Sequence, residues 1–104
     1  MEQRRTRRFT LELPVSVTRN GTERIVQSGL TKNISSGGVL FTAGKEPDVG
    51  ASIEYVVVLG GPSEPRVSLR CIGKVLRANR LDSGEPAYEI AVTLERYEFV
   101  RPEE

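Results

Sequence analysis

The sequence holds no histidine, a single cysteine and no cluster of carboxylates. Those absences remove the usual zinc ligands, the Ser-His and Cys-His nucleophile pairs, and the commonest general base. Catalysis is therefore not expected, and no metal or cofactor is implied. No apolar run approaches the roughly 20 residues that a membrane helix requires. The basic start could imitate the beginning of a signal peptide, but Glu12 and Pro14 break the apolar stretch that would have to follow it. The lone Cys71 cannot close an internal disulfide, which fits a cytoplasmic setting, and its alternating neighbours mark it as a small core residue.

What is present suits one soluble domain: 104 residues, 38% apolar and 28% charged. The net charge is only +1, yet it is unevenly spread. Up to residue 32 the chain carries Arg4, Arg5, Arg7, Arg8, Arg19, Arg24 and Lys32 against Glu2, Glu12 and Glu23, and the remainder is slightly acidic. That asymmetry points to a local anionic partner rather than to general affinity for nucleic acid.

Period-two alternation dominates the pattern. Leu11, Leu13, Val15 and Val17 alternate with Glu12, Pro14, Ser16 and Thr18, which predicts a half-buried strand with Pro14 at an edge or bulge. Asn20-Gly21 then predicts a tight hairpin with positive φ at both central positions. Further strands are expected from Glu23 to Lys32, Val39 to Thr42, Ile53 to Leu59, Val67 to about Arg80, and Tyr88 to Leu94. The fourth is apolar on both faces and should be central. Phe41, Tyr55 and Tyr88 should fill the interior. The tail from Glu95 to Glu104 is expected to be charged and mobile, with at most one helical turn before Pro102. Six short strands without a convincing amphipathic helix argue an all-β barrel or sandwich.

Two polar motifs stand out against this frame. Arg4-Arg5-Thr6-Arg7-Arg8 contains R-x-x-x-R, and about two dozen residues later Asn33-Ile34-Ser35-Ser36-Gly37-Gly38 contains N-x-S-x-x-G. Alone, the first reads as a solvated basic tail and the second as a turn. Together, in this order and at this separation, they resemble the signature of the PilZ domain, a family of bacterial receptors for cyclic di-GMP. The resemblance covers nearly the whole chain.

It implies an all-β fold, a six-stranded antiparallel PilZ-type barrel over residues 11–97, preceded by a flexible arginine-rich arm at 1–10 and followed by a short charged tail at 98–104. It implies ligand contacts from Arg4, Arg5 and Arg8 on the arm and from Asn33, Ser35, Gly37 and Gly38 on the turn. Arginine suits such a ligand because its planar guanidinium pairs bidentately with phosphate and bonds the O6/N7 edge of guanine. The family often has Asp at the first turn position, and Asn33 keeps a carbonyl oxygen that can accept from guanine donors. Arg77 is a weaker candidate that also reads as a solvated strand residue. The expected partners are cyclic di-GMP and an unidentified protein effector. Two alternatives stand beside this reading: an interaction adaptor that has lost the nucleotide, and a small barrel that binds RNA or single-stranded DNA.

Overall fold

A computed structural model of the chain describes residues 12–59, 67–82 and 87–100. These residues form seven strands: β1 (Pro14–Asn20), β2 (Glu23–Ser35), β3 (Gly38–Ala43), β4 (Ser52–Leu59), β5 (Val67–Arg80), β6 (Tyr88–Thr93) and β7 (Arg96–Val100). All pairings are antiparallel, in the order β4-β1-β2-β3-β6-β5-β7, and a further pairing of β4 with β5 closes the first six into a barrel. The expected six-stranded barrel is therefore the fold, with one strand added.

The alternation read from the sequence sets the inner face. Val15, Val17, Val39, Phe41, Ile53, Tyr55, Val57, Cys71, Val75, Ile90 and Val92 are buried, and the Phe41 and Tyr55 rings stack with centroids 6.1 Å apart. Tyr88 is half-buried against the same cluster. Burying each large side chain contributes about 1.5–3 kcal/mol. β4 is central as expected, flanked by β1 and β5.

Local chemistry explains most of the boundaries, and three details differ from expectation. Pro14 is the first residue of β1, where its missing N–H is tolerated, while the bulge in β1 lies between Val17 and Arg19. The first hairpin pairs Asn20 with Glu23, so its central residues are Gly21 and Thr22. Gly21 has φ of 66° and, among the described residues, none other than glycine has positive φ, so Gly21 takes the first central position as in a type II′ turn, one residue later than predicted.

The third difference is the tail. Tyr97, Glu98 and their neighbours form β7, which pairs Arg96–Val100 with Ile72–Ser68 of β5. The alternation of Arg96, Tyr97, Glu98 and Phe99 suits a strand, and the outer part of β5 offers an unpaired edge once β6 has ended. Residues 101–104 lie outside the described residues.

The junction between β6 and β7 is tightly built. Tyr55 Oη donates to the Thr93 carbonyl at 3.1 Å, the Lys74 N–H donates to Thr93 Oγ1 at 2.8 Å, and Thr93 Oγ1 donates to Glu95 Oε2 at 3.0 Å. A Cβ at Gly73 would overlap the Thr93 carbonyl oxygen. Gly73→Ala is expected to lower stability by about 1–3 kcal/mol, as overpacking does, measured by urea denaturation.

Burial raises the Cys71 thiol from its ordinary 9.0 to about 11 and also holds the Tyr55 phenol above its usual range. Because the folded state keeps a proton that the unfolded chain releases sooner, stability should be level below about pH 9 and fall as pH rises towards 11. Denaturation midpoints across that window should show the fall, and a Cys71→Ala variant should show it less steeply.

Candidate functional site

Asn33 faces outward because of a bulge. β2 and β3 pair Thr31 with Phe41 and then Asn33 with Leu40, so Lys32 is an extra residue. Regular alternation from buried Thr31 would have turned Asn33 into the barrel; the bulge turns it onto the outer wall beside Leu40. β5 does the same. Val75 pairs with Val92 and Arg77 with Ala91, leaving Leu76 as the extra residue and sending Arg77 outward.

The two bulges align one row of residues across four adjacent strands. Asn33 pairs with Leu40, Leu40 with Ala91, and Ala91 with Arg77. Three strand spacings separate the ends, roughly 14 Å. The row forms the floor of an open depression of about 260 Å³ that Ser35, Gly37 and Gly38 also line. A small apolar floor thus lies between an amide at one end and a guanidinium at the other.

The polar groups at both ends are unspent. Neither the Asn33 amide nor the Arg77 guanidinium has a hydrogen-bonding or ionic partner among the described residues. Lys32 is different, since it pairs with Glu89 at 2.8 Å. A larger depression of about 410 Å³ lies on the wall formed by β1, β4, β5 and β7, but there Arg19 and Arg70 already face Glu54, and Arg70 also holds Glu98. Arg96 is the one cation of that lining without a carboxylate partner among the described residues.

Each residue of the second motif has a definable place. Ser35 closes its own turn: Oγ accepts from the Gly37 N–H at 3.3 Å and donates to the Gly38 carbonyl at 3.4 Å. Gly38 is required by packing, because a Cβ there would come within 2.6 Å of the Val92 carbonyl oxygen. A Cβ at Gly37 would meet nothing within 4 Å, so there is room beside the depression, while its N–H is held by Ser35 and its carbonyl accepts from the Leu94 N–H at 3.0 Å. Neither glycine has positive φ, so their value is the room they leave.

The structure therefore brings Asn33, Ser35, Gly37 and Gly38 together and adds Arg77 on the same floor. Arg4, Arg5 and Arg8 lie outside the described residues. Leu40 and Ala91 were not singled out in the sequence. Their outward phase was legible from alternation, but their alignment with Asn33 depends on the bulges.

The barrel is filled by side chains, and the polar motif lies on its outer wall. The chain belongs to the PilZ domain family, whose model matches residues 2–99. Among solved structures the barrel is similar to the Bacillus subtilis inhibitor of motility, MotI/DgrA, with a TM-score of 0.68 and 20% sequence identity. The match covers 94% of this chain and 44% of that one, so this chain spans less than half of its length. No curated protein matches the sequence. Among the described residues no helix is long and apolar enough to cross a membrane.

The two glycines separate experimentally. Gly38→Ala should destabilise by about 1–3 kcal/mol, whereas Gly37→Ala should stay within about 0.5 kcal/mol of the parent. Thermal or urea denaturation distinguishes them.

Proposed function

We propose that this chain is a cytoplasmic bacterial receptor for cyclic di-GMP that binds without chemistry and passes the signal to a protein partner. The observation that carries the reading is the Asn33–Leu40–Ala91–Arg77 row, which sets the amide of the second motif and a guanidinium, neither with a partner among the described residues, on one outer floor.

The ligand carries two phosphodiesters and two guanines. A purine face can rest on Leu40 and Ala91, the Asn33 carbonyl oxygen can accept from guanine N1 and N2 donors, and Arg77 supplies a fork for phosphate or for the O6/N7 edge. Gly37 allows close approach to the main chain.

The arm has a route to this floor. The Leu13 N–H donates to Thr31 Oγ1 and the Thr31 N–H donates to the Leu13 carbonyl, both at 2.9 Å. The chain thus reaches the barrel two residues from Asn33. Arg8 precedes Leu13 by five positions, an extended reach of about 17 Å. Arg4, Arg5 and Arg8 then close over the nucleotide, and the changed order of the arm alters the surface shown to a partner.

Isothermal titration with cyclic di-GMP, beside GTP as a control, tests the reading. The parent should bind saturably and the Arg4→Ala/Arg8→Ala variant should not. Arg8→Ala alone should lose a charge-assisted contact of roughly 1.5–3 kcal/mol, about ten- to a hundredfold in affinity. A parent that gives no heat would be an interaction adaptor instead. Strong salt-dependent binding of random oligonucleotides would favour the nucleic-acid reading.

A further inference from the structure

β7 ends the sheet order, and its second edge has no partner strand among the described residues. The reason is geometric. β3 stops at Gly38 opposite Thr93, so β6 is flanked on both sides while β7, which continues along β5, projects past the end of β3. Tyr97 pairs with buried Cys71 and Phe99 with Leu69, which places both rings on the sheet face that lines the barrel elsewhere. Beyond the rim that face is uncovered by the described residues: Tyr97 is 60% and Phe99 64% exposed, with the rings edge to face at 6.2 Å.

Among the described residues, the other face of β7 carries a cation without a carboxylate partner and a carboxylate with one free oxygen. Arg70 Nε donates to Glu98 Oε2 at 3.1 Å, and Arg70 Nη2 meets the same oxygen, so Glu98 Oε1 is left unengaged. Arg96 pairs across the ladder with Ile72 and has no carboxylate partner among the described residues. A donor and an acceptor two positions apart on one face are self-complementary under a two-fold axis.

We propose that β7 is the edge through which two copies of this chain pair antiparallel, with Tyr97 facing its own counterpart. This register sets Arg96 of each copy opposite Glu98 of the other, twice over, and on the opposite face sets the two Tyr97 rings against each other with each Phe99 diagonal to the other copy's Tyr97. Pairing also satisfies the open backbone edge, and within 96–100 there is no proline or lysine to block it. The second copy is the occupant because the strand supplies both halves of each ion pair itself. The inference does not depend on nucleotide binding.

Sedimentation velocity of the full chain over a concentration series tests it, without nucleotide and with cyclic di-GMP. The parent should form a dimer in both conditions. Arg96→Glu and Glu98→Arg, each alone, should weaken self-association at least about tenfold, because like charges then face each other across the axis. Mixing the two variants restores both opposite-charge pairs and should restore a dimer, which also shows that each variant is folded. A monomeric parent at all concentrations would overturn the proposal, and is the outcome expected if another segment of the same chain covers the β7 face. Dimers unaffected by Arg96→Glu, or variants that fail to pair when mixed, would overturn it equally.

Discussion

The pairing of β4 with β5 is the contact on which the remaining structure rests. Without it the sheet would have two open ends, β4 and β5, and its inner face would have no opposite wall. With it, eight residue pairs from Ser52↔Lys74 to Leu59↔Val67 close the wall and enclose Phe41, Tyr55 and the aliphatic residues around them. A domain of 104 residues has little core to spare. Closure lets it bury the inner face of every barrel strand and leaves few strand edges to protect.

Closure also dictates where function can lie. The interior is filled by side chains, so recognition has to take place on the outer wall or at the rim. There the strand twist and the bulges at Lys32 and Leu76 decide which side chains are presented. Each bulge costs a regular ladder position and gains a polar end for the same row. Ser35 and Gly38 shape the adjoining turn, one by hydrogen bonding back on itself and the other by letting β3 approach β6. The site is thus inseparable from the barrel: its floor belongs to β2, β3, β5 and β6 at once.

The β6–β7 junction shows how the same fold produces a second distinct surface. Thr93 is held from three directions by Tyr55, Lys74 and Glu95 while Gly73 leaves room for its carbonyl. That clamp marks where the chain leaves the closed barrel. Beyond it β7 follows β5 alone, which accounts for aromatic side chains that share a face with the core and yet are exposed. The Asn33–Arg77 floor and the β7 edge lie on opposite sides of this clamp along β5, since Arg77 follows Gly73 in the chain and the β7 ladder precedes it.

Much of this was legible in the residues themselves. Alternation specified the six barrel strands and the inner face from Val15 to Val92, and the paired motifs pointed to the family that the comparison bears out. These are local properties, and side-chain alternation or a short motif needs no knowledge of its neighbours. Three things were not legible for a common reason. The outward turn of Asn33 and Arg77 depends on how many residues face one another across a ladder. The need for glycine at positions 38 and 73 depends on carbonyls of β6. The strand character of Arg96–Val100 depends on the free edge that β5 retains beyond the end of β6. The sequence by itself determined which six segments would be the barrel strands and what chemistry they carry. Only the tertiary structure decided which strands meet, and therefore which residues share a row, a rim or an edge.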